Sequence, residues 1–220
     1  MTALAVTVWS DVACPWCWVG KRHLEKAAEL AETALDITWR AYELNPAARK
    51  DTGEKDVDYV GKLARKYHTS REGAQAMVDR MVAAGAEDGL EFRFDRIRPS
   101  NTFDAHRLLA LGHKQGVQTE LKEALFAAYF QQGRAMSDHA ALSDCAAGVG
   151  LDADMVAAVL ASDQFSEEVR ADENAARELG VTGVPFFVFA DKFPVPGAQP
   201  IETMAKVLDK VKGLLEKAAS

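Results

Sequence analysis

Two rhythms of apolar and polar positions alternate along this chain. A short apolar run, Leu4-Ala5-Val6-Thr7-Val8-Trp9, reads as a buried strand over residues 4–10. Cys17, Leu24, Ala28, Ala31 and Leu35 then recur near helical spacing with Lys and Glu between them, which predicts a helix over 15–34. Ile37-Thr38-Trp39-Arg40-Ala41-Tyr42 reads as a second strand, ended by Asn45-Pro46. Strand, helix, strand in this order predicts a parallel crossover.

The middle of the chain changes character. From about Val57 to Leu179 it is rich in Ala, Leu, Glu and Lys, and the pattern predicts helices over 57–67, 70–86, 102–115, 117–131, 138–148, 152–161 and 164–179. Ser70-Arg71-Glu72 and Ser137-Asp138 have the composition of helix starts. Leu90-Glu91-Phe92-Arg93-Phe94 alternates, as a short strand or an extended link would. Strand character returns at Phe186-Phe187-Val188-Phe189-Ala190, with Asp191-Lys192 as a turn into Phe193-Pro194-Val195-Pro196-Gly197. A last amphipathic helix is predicted from about Pro200 to Lys217, with Met204, Val207, Leu208, Val211 and Leu215 on one stripe. Sheet elements at both ends thus flank a helical block: an α/β fold with a helical insertion.

Composition narrows the function classes. The 220 residues are 48% hydrophobic, enough for a substantial core. A net charge of −7 without a long basic run makes nucleic acid and anionic membranes poor partners. The segment before the first apolar run holds no Lys or Arg, and the run itself reads as a strand, so the chain is expected to be cytoplasmic. Three cysteines make no disulfide framework.

Two of those cysteines carry the chemistry. Cys14-Pro15-Trp16-Cys17 follows the first strand and opens the first helix. Positions i and i+3 share a helix face, so the two thiols can close a disulfide with little backbone movement. Cys14 falls at or near the N-cap, and Pro15 suits the first helical position, where its missing N–H costs nothing. The free N–H groups of the first turn favour a thiolate, which makes Cys14 the expected nucleophile and Cys17 the resolving thiol. The expected Cys14 pKa lies between about 3.5 and about 7. A structural zinc site needs four ligands, and no second Cys-x-x-Cys exists, so no metal is expected.

Four motifs in order along the chain resemble the DsbA family of thioredoxin-fold proteins, and its FrnE-like branch most closely. They are Ser10-Asp11-Val12-Ala13-Cys14-Pro15-Trp16-Cys17, Tyr42-Glu43-Leu44-Asn45-Pro46, Asn101-Thr102-Phe103-Asp104-Ala105-His106-Arg107 and Gly180-Val181-Thr182-Gly183-Val184-Pro185-Phe186-Phe187-Val188. The resemblance implies a thioredoxin-like domain over 1–46 and 178–220, with an inserted helical domain over 47–177. It implies a cis Pro185 facing the thiols and a Val184 backbone that pairs with an extended substrate segment. The function it implies is thiol–disulfide exchange on protein or small-thiol disulfides. Glutathione enters as a possible co-substrate and no other cofactor is expected. A homodimer remains an open alternative to the monomer. Kappa-class glutathione transferases and 2-hydroxychromene-2-carboxylate isomerases are related, which keeps a glutathione-dependent isomerase or transferase as the alternative function. Those relatives resemble a Ser at the position of Cys14, and tend to carry an acidic residue where this chain has Gly197-Ala198-Gln199-Pro200.

The candidate catalytic residues are therefore Cys14 and Cys17. The candidate substrate-binding residues are Pro15, Trp16, Val184, Pro185, Asn101 and His106. Asn101 reads first as the cap of the helix after it. His106 reads first as a satisfied helix histidine, with a pocket-lining group as the alternative. Asp11 reads as a cap or loop acceptor, the cap first, with an acid/base role near the thiols as the alternative. Cys145 reads as a buried core thiol.

Overall fold

A computed structural model describes residues 3–51 and 57–219. The elements run β1 (Leu4–Ser10), α1 (Pro15–Leu30), β2 (Leu35–Ala41), α2 (Tyr59–Tyr67), α3 (Arg71–Glu87), α4 (Phe103–Lys114), α5 (Gln118–Phe130), α6 (His139–Gly148), α7 (Ala153–Leu160), α8 (Ser166–Glu178), β3 (Phe186–Phe189), β4 (Phe193–Pro196) and α9 (Ile201–Ala219). The chain divides into two compact units, one of residues 1–44 with 167–220 and the other of residues 45–166.

The first unit is built on a four-stranded sheet of order β2-β1-β3-β4. β1 and β2 are parallel, with Val6 opposite Ile37 and Val8 opposite Trp39. β3 runs antiparallel to β1, and β4 antiparallel to β3. The period-two pattern of β1 aims Leu4, Val6 and Val8 into a core shared with Leu24 and Ala27 of α1, Phe187 and Phe189 of β3, and Met204, Leu208 and Val211 of α9. Each fully buried Leu or Phe there contributes about 1.5–3 kcal/mol of hydrophobic free energy. The predicted α9 stripe is buried at Met204, Leu208 and Val211, whereas Leu215 in its last turns is exposed. α1 ends sooner than its pattern predicts: Ala31 caps it and Glu32 takes a positive φ, turning the chain into β2.

The expected boundary of the insert at 177/178 differs from the division of the chain at 166/167. Nearly all of α8 belongs with the sheet, for polar reasons that helical periodicity does not encode. Trp9 Nε1 donates to the Asp172 carbonyl at 2.9 Å. The Asp172 carboxylate accepts from Arg40 Nη1 at 2.8 Å and from the Ala41 amide at 3.0 Å. The buried Glu43 carboxylate pairs with Arg170 at 2.6 Å. Ala176 and Val181 close a small apolar cluster on Trp9.

The second unit is helical. Ser70 caps α3 by accepting from Gly73 N, and Asp138 caps α6 by accepting from Ala140 N. The segment Leu90–Phe94 is a link that forms no strand and enters a turn at Phe94: Phe92 and Phe94 pack edge-on to Phe130, and the Arg93 amide donates to the Phe130 carbonyl at 2.8 Å.

Candidate active site

The site in the first unit is assembled by two loops. Ser10 ends β1 and the chain turns at Asp11: Cys14 N donates to the Asp11 carbonyl at 3.1 Å. That turn places Cys14 at the N-cap of α1 with extended backbone, and Pro15 at the first helical position. Cys14 is 4% exposed, Cys17 0%, and both are free thiols. Cys17 N donates to the Cys14 carbonyl at 3.1 Å, which closes the first turn. Trp16, between them, is 39% exposed. Pro15 is buried.

The second loop precedes β3. The Val184–Pro185 peptide bond is cis. The Cys14 thiol donates to the Val184 carbonyl at 3.4 Å. Pro185 is buried and its carbonyl accepts from Gly197 N at 2.8 Å, which ties this loop to the end of β4. Cys14, Cys17, Trp16, Val184 and Pro185 are thus brought together within one unit.

Asn101 and His106 belong to the helical unit. Asn101 is buried, and its Oδ1 accepts from Phe103 N at 3.0 Å while its Nδ2 donates to the Pro46 carbonyl at 3.3 Å. It therefore serves the start of α4 from one residue before the cap itself, which is Thr102, and it joins two of the sequence motifs. His106 is buried on α4. Arg107 of the same motif is anchored to backbone. It donates to the carbonyls of Gln164, Val159 and Ser162 and pairs with Asp104 at 2.7 Å.

One expectation is corrected. The Cys14 pKa is not depressed: the dithiol pair pushes it well above the usual thiol range. Its hydrogen bond with Cys17 contributes most, then burial, then the charge of Cys17, with Asp11 adding to these. The Cys17 backbone N–H does lower it, as the helix-start argument requires, but is outweighed. A sequence shows the helix terminus and not the burial. Cys145, in the helical unit, is pushed up chiefly by burial. Among the described residues no cluster of three or more His, Cys, Asp or Glu is placed to hold a metal ion.

A family model, the DSBA-like thioredoxin domain, matches residues 5–209. The chain belongs to this family. That family is one of DsbA-like thiol oxidoreductases, and the chain has its thioredoxin-like fold. It is similar to a probable DsbA oxidoreductase from Streptomyces coelicolor, with 40% identity, TM-score 0.87, and 96% of this chain and 90% of that chain covered. It is 25% identical to the uncharacterized protein YwbO of Bacillus subtilis over 92% of this chain and 94% of that protein. The cytosolic disulfide reductase DsbM from Pseudomonas aeruginosa shares the fold at 15% identity and TM-score 0.63, over 96% of this chain and all of that one. DsbM has also been solved with GSH.

Two features of this DsbA-family site escape the sequence pattern. Gly20 of α1 faces the proline loop so closely that a Cβ there would lie 2.9 Å from Pro185 Cγ and 3.3 Å from Phe187 Cζ. His23 Nδ1 lies 2.7 Å from the Gln199 carbonyl, joining α1 to the loop that follows β4. A glycine within a helical pattern is the only advance signal of the first; the second has none.

Proposed function

We propose that the protein is a thiol–disulfide oxidoreductase of the FrnE-like branch, with Cys14 as the attacking sulfur and Cys17 as the resolving one. The observation that carries this reading is the pair of free thiols at the start of α1, with the Cys14 sulfur against the Val184 carbonyl beside a cis proline.

The steps balance as follows. Cys14 loses its proton and attacks one sulfur of a substrate disulfide, forming a mixed disulfide and releasing one substrate thiolate. Cys17 then loses its proton and attacks the Cys14 sulfur, releasing the second substrate thiolate. The two substrate thiolates take up two protons. The protein pair is oxidised by two electrons and the substrate reduced by two. The first step requires removal of the Cys14 proton, which the neighbouring Cys17 and burial disfavour in the resting dithiol. Trp16 offers an apolar contact for the substrate beside the thiols. In this reading the backbone of Val184, the residue before Pro185, pairs with an extended substrate segment.

The direction proposed is reduction. A cytosol at the reducing end of about −220 to −320 mV favours the reduced form of such a pair, and two glutathione molecules can return the oxidised pair to the dithiol with release of glutathione disulfide. The cytosolic disulfide reductase DsbM, solved with GSH, supports both the compartment and the co-substrate. Insulin reduction by the wild type and by Cys14→Ser tests the reading. The expected result is loss of turnover in the variant. Equal rates in both, together with glutathione binding in calorimetry, would replace it with the glutathione-dependent isomerase or transferase.

A further inference from the structure

Asp11 is a buried carboxylate, 1% exposed, three residues before the attacking cysteine. Both of its oxygens accept backbone N–H groups. Oδ1 accepts from Ala13 N at 3.2 Å, inside the turn that delivers Cys14. Oδ2 accepts from Leu44 N at 2.8 Å, thirty-three positions along the chain and just past β2. With the Asp11 carbonyl bound by Cys14 N, the whole turn from residue 11 to 14 is pinned from one side chain and its own backbone. Hydrogen bonds donated to a carboxylate favour its charged form, and a buried charge acts through a poorly screening medium.

We propose that Asp11 is a positioning residue for the thiol reaction, fixing the turn that carries Cys14 and setting, by its negative charge, the pH at which Cys14 becomes reactive. The proposal rests on the reading of Cys14 as the attacking sulfur. The ionisable groups that act on Cys14 are Cys17 from α1 and Asp11 from the loop, both disfavouring its thiolate. The 184–185 segment facing it offers only Val and Pro side chains and a carbonyl that accepts the thiol proton. Asp11 thus works in the same direction as the Val184 carbonyl: both keep the proton on sulfur. The resulting site stays quiet towards casual electrophiles until a partner disulfide arrives.

The test is alkylation of Cys14 by iodoacetamide in the reduced full chain, followed by mass spectrometry across about pH 5 to 11. Asp11→Asn and Asp11→Ser keep an oxygen acceptor and remove the charge. Both are expected to move the alkylation midpoint to lower pH. Each unit of movement raises the thiolate fraction near neutral pH about tenfold and lowers its intrinsic nucleophilicity about threefold, for a net gain of about threefold in rate. Asp11→Glu keeps the charge and is expected to hold the wild-type midpoint. A role in folding alone would lower thermal stability and leave the midpoint where it is, and that result in folded neutral variants overturns the proposal. Should the neutral variants not fold, Asp11→Glu decides: a midpoint at the wild-type pH supports the proposal and a downward shift overturns it. The readout needs no partner disulfide. A moved midpoint without insulin reduction would remove the redox reading and keep the role of Asp11, whereas an unmoved midpoint with insulin reduction intact would remove Asp11 alone.

Discussion

Replacing Gly20 by alanine sets a local gain against a site-specific loss. Gly20 lies in the interior of α1, where alanine is favoured over glycine by about 1 kcal/mol. The added methyl would meet Pro185 Cγ at 2.9 Å, Phe187 Cζ at 3.3 Å and Ala198 Cβ at 3.5 Å. Carbon atoms prefer about 3.5–4.0 Å, so the proline ring must retreat by roughly 0.6 Å or more. Its room to do so is small, because its carbonyl is bound by Gly197 N and the neighbouring Val184 carbonyl accepts the Cys14 thiol. Overpacking of this kind costs about 1–3 kcal/mol. The balance is a net destabilisation of about 0–2 kcal/mol, with a Tm lower by up to roughly 8 °C for a chain of this length. The functional effect is larger than the stability effect, since the displaced groups are those that hold Cys14. Urea denaturation of the reduced protein, paired with the insulin-reduction rate, measures both. A variant stabilised by about 1 kcal/mol with unchanged exchange would show that helix propensity alone decides the site, and that the proline loop is not locked to α1.

Arg107→Ala should cost about 3–5 kcal/mol in the urea unfolding of the helical unit, because three carbonyls lose their donor and Asp104 keeps only His139, at 3.0 Å, of its two partners. Arg107→Lys should recover only part of that, since a single ammonium cannot reproduce the fork. The raised Cys14 pKa makes the stability of the reduced protein pH-dependent in a known direction. The unfolded thiol ionises near pH 8.5 and the folded one well above it, so this contribution is complete below about pH 8 and lost as pH rises beyond it. The urea midpoint of the reduced wild type should therefore fall more between about pH 7.5 and 10 than that of Cys14→Ala; parallel declines would contradict it.

What the sequence disclosed follows from what periodicity can carry. Helix positions in the insert were legible where a helix begins at a side chain that caps it, as at Ser70 and Asp138, and rested on periodicity alone at α5, which begins after Val117. Cys14 at an N-cap followed by Pro15 was legible for the same local reason. The hairpin before β4 begins one residue earlier than its composition indicates, because Ala190 and Asp191 take positive φ without a glycine or asparagine to announce it. The allegiance of α8 rests on Asp172, Arg170 and Glu43, whose partners lie about 130 positions away. The Cys14 pKa depends on burial and on Cys17 as an ionising neighbour, so the helix-terminus rule alone pointed the wrong way.

The outermost strand has a consequence beyond catalysis. In an antiparallel ladder, alternate residues turn their N–H groups inward to the partner strand and outward to open space. In β4 the alternate pair is Pro194 and Pro196, so the inward donors are those of Phe193 and Val195 and the outward positions carry none. That border of the sheet presents carbonyls to any passing strand and nothing to complete a ladder. An extended segment of another chain that reached this border could not extend the sheet across it, so one sheet edge is kept out of aggregates.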